Sequence, residues 1–164
     1  MISTLPTVAR DHHERLMRHV DQLPAFGDSI GSAPIADLRR EVNETTTFLS
    51  GLLVPHMEAA ERTLYPELER LLQNRHSMAP MRREHAEVRR LLCELLRIRE
   101  VLDKEQLSTG DAFALRRIVF QLYALMKIHL VEEQLHVAMV EHGVSAEAAE
   151  ALAAAMEHAG IPES

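Results

Sequence analysis

The sequence predicts an all-α fold, an up-down-up-down four-helix bundle followed by a short C-terminal fifth helix. Three observations lead to this prediction. Strong helix formers such as alanine, leucine, glutamate and arginine dominate the chain, whereas only 4% of its residues are aromatic and none is tryptophan. Apolar residues recur at three- and four-residue spacing over long stretches, and no stretch alternates as a strand does. Long helices joined by short connections favour an antiparallel bundle.

The first two bundle helices are predicted on the amino-terminal side of the chain. The first covers about residues 6–23, and the proline-, glycine- and serine-containing stretch 24–34 is expected to break it. The second is long, over about residues 35–72, with apolar side chains at helical spacing. Pro55 and Pro66 fall inside it. Because proline removes a backbone donor, each is expected to kink or loosen this helix.

The remaining helices follow from capping residues and turns. A third helix is predicted over about residues 77–107, opened by a serine and by Pro80. The turn 108–111 supplies a cap for a fourth helix, which Gly143 closes. An alanine-rich fifth helix is predicted over about residues 145–158. The apolar periodicity therefore accounts for nearly the whole chain.

Length and charge narrow the class of protein. The 164 residues are expected to form one domain, with the bundle over about residues 5–142. A net charge of −7 argues against a nucleic-acid partner, which would require a basic face. The single cysteine, Cys93, excludes an intramolecular disulfide and fits a reducing compartment. With no signal-peptide pattern and no uncharged run of about 20 residues, we expect a cytoplasmic protein without a membrane partner.

Histidines and carboxylates occur together in all four predicted bundle helices. The segments are Asp11-His12-His13-Glu14, His56-Met57-Glu58-Ala59-Ala60-Glu61, Glu84-His85-Ala86-Glu87 and His129-Leu130-Val131-Glu132-Glu133. Imidazole and carboxylate groups are the ligands that hold iron, manganese or zinc. Four helices with inward-facing ligands are a known way to enclose a metal site. A metal site in the bundle core is therefore predicted.

Two of these histidines, His85 and His129, stand on otherwise apolar helix faces. A single buried histidine is more often a satisfied core residue than a metal ligand. Glu133 favours the metal, because four residues turn about 400° and place it on the same face as His129. A carboxylate in a core without a cation is costly, whereas one that bridges two metal ions is stabilised. The alternative is a Glu133 that faces solvent beside a core histidine.

These segments resemble the motifs of the hemerythrin-like, or HHE cation-binding, family. The similar segments, in chain order, are His13 to Leu16, His56 to Tyr65-Pro66, Glu84-His85, and His129 to Glu133. The resemblance covers about residues 8–140 and implies a bundle around a non-haem di-iron centre. It implies six metal ligands: His13, His56, Glu61, His85, His129 and Glu133. His12 and Glu58 are further candidates, because His12 matches the apolar seam of the first helix whereas His13 matches the family spacing.

Two departures from the family pattern affect this ligand set. The family's bridging glutamate corresponds to Ala60, which cannot bind a metal. Glu61 lies about 140° around an ideal helix from His56, so it ligates only if that helix is distorted, and Glu58 is the alternative. Met81 stands where the oxygen carriers have a second histidine on the third helix. We therefore expect an asymmetric site with two iron ions, or alternatively one, while the ligand types also suit zinc and manganese.

The resemblance further implies binding of, or reaction with, O2, peroxide or nitric oxide. Whether the protein is an enzyme stays open at this point. An O2, NO or iron sensor or carrier would use the metal without turnover and would need a signalling partner. An enzyme that reduces O2 would need a protein or diffusible reductant, whereas peroxide dismutation would not. A metal-free helical module, in which the histidines only pack, is the third class.

Overall fold

The computed structural model describes residues 5–143 and residue 154, and no strand occurs among them. The predicted all-α class is confirmed. The helices are α1 (Leu5–Val20), α2 (Leu23–Ser29), α3 (Ile35–Phe48), α4 (Val54–Arg62), α5 (Leu64–Leu71), α6 (Ala79–Asp103) and α7 (Thr109–Gly143), and a π-helical segment, Leu49–Leu53, joins α3 to α4. The fifth helix predicted over residues 145–158 lies outside the described residues. No helix in the described part of the chain combines the length and hydropathy needed to cross a membrane.

The region after α1 differs from the prediction. The first helix ends at Val20, but the stretch that was expected to be irregular contains the short helix α2. Pro24 lies in its first turn, where a missing amide proton costs no hydrogen bond. Gly27 allows α2 to pack closely on α7, because a β-carbon at this position would lie only 2.7 Å from the ring of Phe120. Tertiary packing thus stabilises a helix in a sequence that contains helix breakers.

The long second helix is interrupted near both prolines, as predicted. The π-helical segment ends directly before Val54 and Pro55, and the amide of Val54 donates to the carbonyl of Leu49, five residues back. The second interruption lies at Thr63, between α4 and α5, where φ is −118°. Thr63 lies three residues before Pro66, whose ring would clash with the carbonyl oxygen four residues back in a regular helix. These two interruptions change the direction in which the following side chains point.

The last two helices begin within two residues of the predicted positions, although no side chain caps the start of α6. Pro80 occupies the first turn of α6, which ends at Asp103, a few residues before the predicted end. Ser108 and Asp111 form a reciprocal cap at the start of α7: the amide of Asp111 donates to Ser108 Oγ at 3.1 Å, and the amide of Ser108 donates to Asp111 Oδ2 at 3.0 Å. This cap starts the helix that carries His129 and Glu133, two of the six predicted ligands.

Two apolar clusters and a polar layer make up the interior. Helices α1, α2, α5 and α6 pack against α7, while α3 and α4 pack against α6. The larger apolar cluster includes Leu16, Leu53, Val88 and Leu130, and the smaller one includes Ala60, Tyr65, Met81 and Val137. On α7, Glu133 lies between Leu130 of the larger cluster and Val137 of the smaller one. On α6, His85 likewise lies between Val88 of the larger cluster and Met81 of the smaller one. The histidines therefore form a buried layer between two apolar regions.

Candidate metal centre

Six polar side chains form the buried layer, and none is more than 3% exposed. They come from four different helices: His12 and His13 from α1, His56 from α4, His85 from α6, and His129 and Glu133 from α7. Burial of polar groups is unfavourable unless each finds a partner. The contacts among these side chains therefore decide what the layer can hold.

Two groups of three ligand atoms share one carboxylate. His13, His56 and Glu133 form one group, and His85, His129 and Glu133 form the other; within each group the ligand atoms lie within 4.8 Å of one another. Oε2 of Glu133 is 2.7 Å from His56 Nε2 and 3.3 Å from His13 Nε2. In the second group, Nε2 of His85 lies 3.1 Å from Nε2 of His129.

Two of the distances within the groups match the spacing of ligands around one metal ion. Two ligand atoms that each lie about 2.1 Å from one metal are about 3.0–3.5 Å apart, for bond angles between 90° and the tetrahedral value. The distance between His85 Nε2 and His129 Nε2, and that between His13 Nε2 and Glu133 Oε2, fall in this range. The distance from His129 Nε2 to Glu133 Oε2 is longer, 3.9 Å, and that from His56 Nε2 to Glu133 Oε2 is shorter, 2.7 Å, which is a hydrogen-bond distance. The described side chains thus offer two adjacent groups of ligand atoms that share Glu133.

Carboxylates outside the layer set the tautomers of the second group. Nδ1 of His85 lies 2.7 Å from Oε1 of Glu61, and Nδ1 of His129 lies 2.7 Å from Oε2 of Glu84. Because a carboxylate only accepts, each Nδ1 carries a proton. Since the pKa of His85 is lowered to about 4, its ring is neutral and its Nε2 presents a lone pair to the interior. Such a carboxylate–histidine pair is the arrangement that orients imidazole for a metal.

The charge states at neutral pH also suit a cation. Burial, together with the neighbouring His129, lowers the pKa of His85 to about 4, so its ring is neutral. Burial alone would raise the pKa of Glu133, but the adjoining rings of His56, His13 and His129 hold that pKa well below its usual value. Glu133 is therefore an anion in a completely buried position, and a cation would compensate its charge.

The two candidates on α1 occupy different environments. Neither ring nitrogen of His13 has a hydrogen-bond partner among the described residues, and Nε2 faces Glu133. Nδ1 of His12 lies 3.2 Å from Nη2 of Arg15, which can only donate, so the proton of a neutral His12 ring is on Nε2. His12 belongs to neither group, and burial lowers its pKa to about 3. The structure thus brings His13, rather than His12, to the shared carboxylate.

The predicted carboxylates of the second helix do not join the inward-facing atoms. Glu58 is exposed. Glu61 lies at the outer nitrogen of His85, where both Nη atoms of Arg89 also donate to its Oε1 at 3.2 Å. The reason is local: α4 keeps α-helical geometry through Arg62, so Glu61 points about 140° away from His56. The distortion that could have turned Glu61 inward comes only after it, at Thr63.

Sequence reasoning gave Tyr65 no firm role, yet its hydroxyl lies inside the layer. The oxygen is 3.1 Å from His85 Nε2 and 3.2 Å from Glu133 Oε1, and the side chain is completely buried. Burial and the charge of Glu133 raise the pKa of this phenol. Glu84, as the partner of His129, was also missed. The sequence signal for the inward direction of Tyr65 was Pro66. A helix break near this proline could change the helix face on which Tyr65 lies.

This geometry defines an all-helical domain with candidate cation-binding groups of histidine and glutamate. The chain belongs to the Hemerythrin HHE cation binding domain family, which matches residues 5–119. The resemblance inferred from the motifs is thereby confirmed. The matched stretch ends before His129 and Glu133, so the assignment of these two side chains rests on their geometry. Comparisons with curated proteins and with solved structures gave no match.

The lowered histidine pKa values predict how the metal-free protein responds to acid. The unfolded chain protonates His12 and His85 near pH 6.5, whereas the folded chain protonates them only near pH 3 and pH 4. The free energy of unfolding should therefore fall as the pH drops from about 6.5 towards 4, by roughly 1 kcal/mol per pH unit for each group. Urea denaturation of chelator-treated protein between pH 7 and pH 5 measures this slope.

Two variants make that measurement specific. His12→Gln removes one of the two titrating groups and should reduce the slope. His76→Gln alters an exposed histidine and should leave the slope unchanged. A free energy of unfolding that does not change between pH 7 and pH 5 would contradict the burial of neutral rings.

Proposed function

We propose that this protein binds a pair of non-haem iron ions, and that the pair binds or reacts with O2, peroxide or nitric oxide. The proposed ligands are His13 and His56 for one ion, His85 and His129 for the other, and Glu133 for both. The observation that carries the proposal is the sharing of Glu133, a completely buried carboxylate, by two groups of histidines. A carboxylate between two such groups has the position of a bridging ligand.

A purely structural role for the histidines is disfavoured by their unpaired atoms. Both ring nitrogens of His13 and Nδ1 of His56 are buried without a hydrogen-bond partner among the described residues. Each unpaired buried group costs roughly 1–3 kcal/mol. A cation in the first group would supply the missing partner of His13 Nε2, which faces Glu133.

The choice of iron rests on the ligand chemistry and on the family. Imidazole and carboxylate ligands suit iron, manganese and zinc, and the similarity to hemerythrin-like domains favours iron. When bound, an iron pair with so few protein ligands offers open coordination positions to O2, peroxide or NO. The residues of the chain would hold the ions in place. Glu61 and Glu84 would orient the rings of His85 and His129, and the apolar clusters would limit the access of water.

The reactivity is tested by adding each small molecule to iron-loaded, reduced protein. Stopped-flow absorbance should show a spectral change with at least one of O2, peroxide and NO. Repeated turnover of peroxide, measured by the oxygen that is released, would make the protein an enzyme, whereas a single stoichiometric change would favour a sensor or carrier. Iron-loaded protein whose spectrum none of the three changes would refute the proposed reactivity.

The role of the shared carboxylate predicts a large difference between two neighbouring glutamates. Glu133→Gln should lose most of the bound iron, because the substitution removes the negative charge that both ions share. Glu132→Gln is the matched control: its side chain is exposed, and its iron content should equal that of the unchanged protein. Metal analysis of protein produced in iron-rich medium measures both. Equal iron contents in the two variants would contradict the bridging role.

The position of Glu61 predicts a weaker effect. If Glu61 orients His85 from outside, Glu61→Gln should weaken iron binding about 10–100-fold without changing the number of ions at saturation. Glu58→Gln, on the exposed side of the same helix, should have no effect. Competition with a chelator gives the affinities. Loss of one ion per chain at saturating iron in Glu61→Gln would show instead that Glu61 is a ligand.

A further inference from the structure

The hydroxyl of Tyr65 occupies a place that neither packing nor an ordinary hydrogen bond requires. Its oxygen lies beside the inward nitrogen of His85, at 3.1 Å, and beside the second oxygen of Glu133, at 3.2 Å. Both partners belong to the group that His129 completes. The phenol oxygen is thus a fourth oxygen or nitrogen atom facing the same small space.

Tyr65 reaches this place because the second long helix is broken. It lies nine residues after His56, which corresponds to about 900° and hence to the opposite face of an ideal helix. The interruption at Thr63 separates α4 from α5 and allows both side chains to point inward. The ring is then held on its faces: it stacks on His85 with the ring centroids 5.5 Å apart, and the guanidinium carbon of Arg82 lies 5.4 Å from its centroid.

We propose that the Tyr65 oxygen is a metal ligand in the group formed by His85, His129 and Glu133. This inference rests on the proposed metal centre and adds a ligand to one of its two positions. Tyr65 thereby supplies an anionic oxygen from the second long helix, where Ala60 stands in place of the family's bridging glutamate. The centre is asymmetric, because the group with His13 and His56 has no equivalent phenol among the described residues.

The distances support coordination of the Tyr65 oxygen. Its separations from His85 Nε2 and Glu133 Oε1 match the edge of about 3.0–3.5 Å expected between two ligands of one metal. A hydrogen bond would account for only one of these contacts, since the phenol has a single proton and the Nε2 of a neutral His85 has none to donate. The two contacts together are more simply explained by a shared cation.

The charge of the layer gives an independent reason. Two buried cations would meet one inward carboxylate, Glu133, and rings that are neutral. Buried charge without compensation is strongly unfavourable. A phenolate adds a second negative charge at the position where the ion would lie. Formation of the bond breaks the O–H bond of Tyr65 and releases one proton to the solvent, with no change in oxidation state.

The experiment uses the full chain loaded with ferric iron. A phenolate bound to iron(III) gives a charge-transfer band in the visible region, and resonance Raman spectra excited in that band show the ring vibrations of the bound tyrosinate. We expect both signals in the unchanged protein. We expect both to disappear in Tyr65→Phe, which retains the ring and removes only the oxygen. Iron affinity in this variant should fall at least about tenfold, as for loss of a residue that supports a metal site.

Tyr123 provides the matched control, because the chain contains two tyrosines. Tyr123 is partly buried against the larger apolar cluster, and Tyr123→Phe should keep the band and the tyrosinate vibrations. In weakly buffered solution, the unchanged protein should also release one proton more on iron loading than Tyr65→Phe does.

Each outcome separates this inference from the proposed function. Bound iron without tyrosinate vibrations would overturn the role of Tyr65 and leave the metal centre intact, with the phenol acting as a donor to Glu133. Persistence of the vibrations in Tyr65→Phe would also overturn it. Failure of the unchanged protein to bind iron at all would overturn the inference and the proposed function together.

Discussion

The structure depends most on the compensation of Glu133, a carboxylate with no exposure to solvent. Its oxygens contact rings from two other helices and the hydroxyl of Tyr65, so that three helical segments are tied to α7 through one side chain. A buried anion destabilises a fold unless its surroundings supply positive charge or donors. In the described interior, imidazoles and a phenol take these positions, and a pair of cations would use the same atoms. The architecture of the polar layer therefore follows from one electrostatic requirement.

The carboxylates at the edge of the layer complement this arrangement. Glu61 and Glu84 are partly exposed, and each accepts the outer ring proton of one histidine. Water reaches both carboxylates, and each fixes a proton on the outer nitrogen of its histidine. Arg89 holds Glu61 in turn. The same residue type thus has two roles, set by burial: a completely buried Glu133 inside the layer and partly exposed carboxylates that orient the rings.

The apolar clusters on both sides enclose the layer and bury its side chains. The smaller cluster includes Tyr65 and Ala60, and the larger one continues from Met57 and Leu130. Interruptions at the π-helical segment and at Thr63 adjust the directions of side chains between these clusters. A π-helical turn directly before a functional helix is a recurrent feature of protein sites. Here both helical distortions lie between α3 and α5, the stretch of chain that also carries His56 and Tyr65. The interruption at Thr63 allows Tyr65 to reach the histidines.

The sequence by itself determined the all-α class, the approximate helices, the interruptions near Pro55 and Pro66, and the residues that could bind a metal. These follow from local properties: helix propensity, apolar periodicity and the chemistry of proline and histidine. Only the tertiary structure decided that His13 rather than His12 approaches Glu133, that Glu61 points to the outer nitrogen of His85, and that Tyr65 points inward. An argument from periodicity assumes that each residue turns about 100° around the helix axis. The break between α4 and α5 interrupts this rotation, so the side chains after it point in directions that the periodicity does not predict. Helix α2 and the protonated nitrogen of each ring depend, moreover, on partners from other helices, which no local pattern contains.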